Sequence, residues 1–224
     1  MNQALVDYLS TFISNERFSL FKQILSLRTR YITVVLEDIF QSQNASAVLR
    51  TCDCFGIQDV HIIENRNKFN ESITVTRGST KWINLYQYNQ QANNTLFALQ
   101  ALKEQGYKIV ATSPHLNDVD LADYDLKKGK TALVFGNEKK GVSEIVKKNA
   151  DFFLKVPMSG FTESFNISVS VAIILHYLTN KMKEESIDWR LTDIEQETLL
   201  LEWLRKSLKS GDLLIKKYLH TNNI

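Results

Sequence analysis

Four short stretches hold polar residues at spacings that chemistry can use, each beside an apolar run. In "NASAVLRTCDCFG", Asn44 opens a helical pattern as its cap and Arg50 follows within two turns. On a helical wheel Ala47, Val48, Thr51, Cys52 and Phe55 share one face, and Ser46, Arg50 and Asp53 lie opposite. By periodicity Arg50 is a solvated residue paired with Asp53, worth a few tenths of a kcal/mol. The alternative is an arginine that grips substrate. In "FGNEKKG", Gly136 and Gly141 flank Glu138 and permit close backbone approach or positive φ. The same residues also suit a polar turn into a helix at Ser143. In "VPMSGFTESFNISVSVAI", Ser164, Asn166 and Ser168 crowd the start of an apolar helix. One cap is needed, and the surplus polar groups could bind a carboxylate or phosphate. Finally, "VTRGSTKW" joins Arg77, Gly78 and Lys81 to Trp82, either a surface loop or a grip for RNA phosphate and base.

These stretches need elements to place them. Apolar, β-branched runs at residues 31–37, 58–63, 83–88, 107–113, 131–136 and 151–157 read as strands. Helical patterns lie between them at 44–55, 92–105, 143–149 and 164–182. Strands alternating with helices predict an α/β fold with a mostly parallel sheet flanked by helices. Residues 3–27 read as one or two short helices, and 191–208 as a helix with Thr192 and Glu195 as a capping box. In such sheets ligands sit beyond the carboxyl ends of the strands. That rule points to the junctions "EDIFQSQNAS", "ATSPHLND", "FGNEKKGVSE" and "VPMSGFTESFNIS". A GxGxxG after the first strand and a P-loop are both missing from the sequence.

Composition narrows the class. The chain has 224 residues, 44% hydrophobic, enough for one sizeable core with appendages. The longest apolar run, "ISVSVAIILHYL", is too short to span a bilayer, and the N-terminal segment lacks a basic start and carries Asp7. A cytoplasmic protein is expected, with Cys52 and Cys54 as reduced thiols. The four histidines lack ligand spacing, so no metal is expected. Net charge is only +2, but Arg205, Lys206, Lys209, Lys216 and Lys217 face Asp212 alone in the tail. Residues 1–31 are also locally basic, and basic ends suit a polyanion.

The stretches around Asn44, Glu138 and Ser164, in this order, resemble the three motifs of the SPOUT superfamily, specifically TrmH-type RNA 2′-O-ribose methyltransferases. The likeness covers roughly residues 31–180, and "RGSTKW" resembles the family's segment between the first two motifs. It implies S-adenosylmethionine as cofactor, a C-terminal trefoil knot and a homodimer with active sites near its interface. Helical extensions over 1–30 and 181–224, around a methyltransferase domain at 31–180, resemble the subgroup that methylates the D-loop guanosine-18 of tRNA. A ribosomal-RNA methyltransferase and a non-catalytic RNA-binding homologue are the alternatives.

Carried over residue by residue, the resemblance assigns catalysis to Asn44, Arg50, Glu138, Ser164 and Asn166. It lines the cofactor pocket with Thr112, Gly136, Val156, Met158 and Phe165. RNA contacts are expected at Arg28, Arg30, Arg77, Lys81, Lys181 and Lys183. The last two stand where the family carries basic residues, with lysine lacking the bidentate fork of arginine.

Overall fold

The computed structural model describes residues 2–113 and 118–222; residues 114–117, in the junction after the fourth expected strand, lie outside the described residues. Two compact units form. The larger, Arg30–Trp189, is built on a seven-stranded sheet. Its strands are β1 (Ile32–Glu37), β2 (Asp59–Ile63), β3 (Asn84–Tyr88), β4 (Lys108–Thr112), β5 (Val119–Asp120), β6 (Thr131–Phe135) and β7 (Phe152–Lys155). They run in the order β3-β2-β1-β6-β4-β7-β5, and every pairing is parallel.

β1, β2 and β6 are buried along their whole length, as the apolar runs of a sheet covered on both faces require. Alternation divides the core. Ile32, Val34 and Leu36 pack with Val48, Leu49, Val171 and Leu175, whereas Val35 packs with Leu99, Leu102, Val134 and Val146. The first face is therefore covered by α3 (Ser42–Cys54) and α7 (Ile167–Glu184), the second by α5 (Asn94–Glu104) and α6 (Glu144–Asn149). A one-turn helix, α4 (Ile73–Thr76), lies against α3.

The smaller unit joins Met1–Thr29 to Arg190–Ile224. It holds α1 (Asn2–Ser10), α2 (Asn15–Leu25), α8 (Asp193–Ser207) and α9 (Gly211–Thr221). The expected capping box of Thr192 and Glu195 opens α8. Leu5, Leu9, Phe21, Leu199, Trp203 and Leu204 are buried, with Phe21 edge-on to Trp203 at 5.9 Å.

Several expectations need correction. Asn44 is not a cap: α3 begins two residues earlier, after Gln41, whose side chain makes no capping bond. Ser46, expected on the outer face, is fully buried, because the segment before α4 covers that side and Ser72 N–H donates to Ser46 Oγ at 2.9 Å. α7 starts at Ile167 rather than Ser164, with Asn166 as its cap. Strand β5, two residues long, was too short to show as an apolar run.

Candidate active site

The carboxyl ends of β1, β4, β6 and β7 surround a cavity of about 590 Å³. Nine of the ten expected catalytic and cofactor-binding residues line it: Asn44, Thr112, Gly136, Glu138, Val156, Met158, Ser164, Phe165 and Asn166. The exception is Arg50. It lies on the exposed side of α3 and, among the described residues, makes no hydrogen bond or ion pair. The pair with Asp53 read from the helical wheel is not formed.

The polar residues are wired together. Glu138 Oε2 accepts the Phe40 N–H at 2.9 Å, and Oε1 accepts the Gln41 N–H at 3.2 Å and the Asn44 amide at 3.1 Å. A carboxylate at the start of α3 thus does what the Gln41 side chain does not. Burial raises the Glu138 pKa, but the bonds from Phe40, Asn44, its own backbone and Gln41 outweigh it and leave the carboxyl below its ordinary value. Asn44 Oδ1 in turn accepts the Asn166 amide at 3.2 Å. Asn166 Oδ1 accepts the Ser168 N–H at 2.9 Å and caps α7. One chain of side-chain bonds therefore ties the starts of α3 and α7 to the 137–141 turn.

That turn is fixed by contact. A Cβ added at Gly136 would lie 2.2 Å from the Gly141 carbonyl carbon and the Val142 nitrogen. Gly141 folds back at φ +67°, and its N–H donates to Asn137 O at 2.8 Å. Asn137 and Asp38 were not singled out by their sequence. Asn137 Nδ2 donates to Asp38 O at 2.9 Å, and Asp38, at φ +54°, gathers the N–H groups of Asn65, Arg66 and Asn67 on Oδ1. An acidic residue at a strand end, where a turn begins, was the available signal for Asp38.

The model of the SpoU rRNA methylase family matches residues 31–176. The chain belongs to the SpoU methylase family. A tRNA (guanosine(18)-2′-O)-methyltransferase of Borreliella burgdorferi is 44% identical over 205 residues, 92% of each chain. Its namesake from Thermus thermophilus is 35% identical, covering 83% of this chain and 94% of its own. The crystal structure of the Aquifex aeolicus TrmH/SpoU tRNA modifying enzyme superposes with a TM-score of 0.76 at 27% identity, over 86% of this chain and 97% of that one.

The expected RNA contacts divide. Arg77, in the left-handed turn after α4, is exposed, as are Lys81 and Lys183. Arg28 is 2% exposed, with its guanidinium over the Trp203 ring at 5.3 Å, so it cannot meet a polyanion. Arg30 Nε donates to Asp59 Oδ2 at 2.9 Å, where β1 and β2 begin, the end of the sheet away from the cavity. Lys181 is occupied too: its ammonium donates to the Tyr124 carbonyl at 2.7 Å and the Ala122 carbonyl at 3.3 Å. These three basic residues hold the fold.

Proposed function

We propose that this chain transfers a methyl group from S-adenosylmethionine to the ribose 2′-hydroxyl of guanosine 18 in the tRNA D-loop, the reaction that names its relatives. The observation that carries this reading is the convergence of Asn44, Glu138, Ser164 and Asn166 on one cavity at the strand ends. The donor set fits the cofactor. Val156, Met158, Phe165 and Ile174 offer apolar surface to a purine, with backbone and side-chain polar groups beside them. When bound, the cofactor supplies a methyl group on a sulfonium. Asn44 and Ser164 orient the ribose. Glu138 and Asn166 hold the starts of α3 and α7 in place, so the site is preorganised.

Arg50 holds the target phosphate and stabilises the 2′-oxygen as charge develops there. It does not act as a base, because a guanidinium stays protonated in proteins. The same reading carries a cytoplasmic place of action, a trefoil knot in the C-terminal part of the sheet, and a homodimer. The exposed Phe165, Val169 and Tyr177 and the position of Arg50 outside its own cavity support the homodimer. The Arg30–Trp189 unit performs the chemistry, and the basic C-terminal stretch, with Arg205, Lys206, Lys209, Lys216 and Lys217, attracts RNA.

Transfer of labelled methyl groups to unmodified tRNA and ribosomal RNA, with mapping of the modified ribose, tests this. Label at guanosine 18 is expected; label confined to ribosomal RNA would replace the tRNA assignment. Arg50→Ala and Arg50→Lys are both expected to abolish turnover while calorimetry shows cofactor affinity nearly intact. Substantial activity in Arg50→Ala would return Arg50 to the solvated surface.

A further inference from the structure

A second cavity, of about 740 Å³, shares the 137–141 turn with the first: Asn137, Lys139, Lys140 and Gly141 line both. Its remaining wall is different in kind, with Arg66, Lys147, Phe40 and the amides of Asn65 and Asn67, whose nitrogens donate to Thr95 Oγ1 and Asp38 O at 2.8 Å and leave the amide oxygens as acceptors. Phe40 is 58% exposed, and Lys139 Nζ stands 5.1 Å from its ring centroid.

The acidic residues of this cavity are already occupied. Glu37 accepts the Thr95 hydroxyl at 2.7 Å, the Ser143 hydroxyl at 2.6 Å and the Ser143 N–H at 2.8 Å. Asp38 Oδ1 takes three backbone N–H groups, and Glu144 pairs with Lys147 at 2.9 Å. Arg66, Lys139 and Lys140 make no ion pair among the described residues. The lining carries the cations Arg66, Lys139, Lys140 and Lys147 against the carboxylates Glu37, Asp38 and Glu144; cations free of ion pairs, an exposed aromatic ring and amide oxygens are groups that bind a single-stranded nucleotide. Cations take its phosphate, the ring takes the base face, and amides reach the base edge.

We propose that this second cavity binds the nucleotide adjoining the methylated one, its base stacked on Phe40 and its phosphate held by Arg66, Lys139 and Lys140. The proposal rests on the reading that the first cavity receives the target ribose. The shared turn is what lets neighbouring nucleotides of one strand occupy both. The Phe40 N–H donates to Glu138 at 2.9 Å, so the backbone that carries the ring is held by the same carboxylate that organises the first cavity.

The test measures tRNA affinity and methyl transfer separately, on the full chain. Phe40→Leu, which keeps an apolar side chain but removes the ring, is expected to weaken tRNA binding about tenfold and leave cofactor affinity unchanged. Phe40→Trp is expected to restore binding. Arg66→Ala combined with Lys140→Ala is expected to lower the slope of log affinity against log salt by about 0.7, as for one single-strand phosphate contact. A tRNA lacking the base beside the target nucleotide should bind the unaltered protein about tenfold more weakly, and Phe40→Leu no more weakly than it binds intact tRNA. Equal affinity for intact and abasic tRNA, or losses that simply multiply, would overturn the proposal. The abasic comparison on the unaltered protein decides even where a variant fails to fold. Binding without methyl transfer would overturn the functional reading alone, whereas methyl transfer indifferent to Phe40 and to the abasic site would overturn the second cavity alone.

Discussion

At Gly136 a single hydrogen atom decides the shape of the site. The chain passes so close that any side chain would strike the Gly141 and Val142 backbone, 2.2 Å from the position of a Cβ. Backbone cannot yield as a flexible side-chain tip can. Gly136→Ala is therefore expected to lower stability by about 2–3 kcal/mol and to weaken cofactor binding by displacing the turn that lines the cavity. Urea unfolding and calorimetry measure the two effects; an unchanged midpoint would mean that the turn has another conformation open to it. From the sequence both glycines of "FGNEKKG" suited close approach or positive φ, and each turned out to use one of the two. Arg50 was read less well. Its exposure followed from the wheel, but its pairing with Asp53 did not, since exposed opposite charges one turn apart gain too little to fix a geometry.

Among the elements, β1, β2, β6 and the middle of β4 were legible because buried parallel strands must be apolar along nearly their whole length, and β3 and β7, only partly buried, were legible from their aromatic and apolar runs. Helix starts were legible only where the cap is local. Thr192 caps α8 from within its own sequence, as expected, whereas α3 is closed by Glu138, which lies far along the chain and joins it only in the folded sheet. For α7 the surplus of polar residues hid the cap. Asn166 fills that place, and Ser164 is left to the cavity. Asn166→Ala is thus expected to cost about 1 kcal/mol in stability and to lower activity further by releasing the Asn44 amide contact. Asn166→Asp should keep the cap and the stability while still losing the donor to Asn44. If Asn166→Asp were fully active, that contact would be irrelevant to turnover.

Strand β2 carries a second consequence. His61 is 3% exposed, stacked on Tyr86 at 4.8 Å and hydrogen-bonded through Nδ1 to the Tyr88 hydroxyl at 3.0 Å. Burial lowers its pKa to about 4. The unfolded chain therefore takes up a proton near pH 6.5 that the folded chain refuses until about pH 4. The His61 contribution is complete above the upper value and is lost as pH falls toward the lower one, amounting to about 3 kcal/mol at most. Unfolding free energies measured across that window should fall more steeply for the unaltered protein than for His61→Gln. Parallel curves would show that His61 is not the group responsible.

For the whole molecule, the sequence carried the α/β class and helical ends, but not the joining of those ends into one unit. Local charge also misled at this scale. Arg28 contributes to a basic N-terminal segment, yet its stem and guanidinium are spent against Trp203, and charge counts do not report burial. The largest consequence concerns Arg50. It stands on α3 outside the cavity that holds Asn44, Glu138, Ser164 and Asn166 of the same chain. In the proposed homodimer the symmetry axis places each Arg50 on the partner in an equivalent position, so one protomer can complete the cavity of the other. Mixed dimers test this directly. Subunits bearing Arg50→Ala and subunits bearing Ser164→Ala are each expected to be inactive alone. If Arg50 serves the partner's cavity, each mixed dimer contains one site with both groups intact, and a random equal mixture regains about a quarter of full activity. If Arg50 serves its own cavity, every site in the mixture lacks one group and no activity returns.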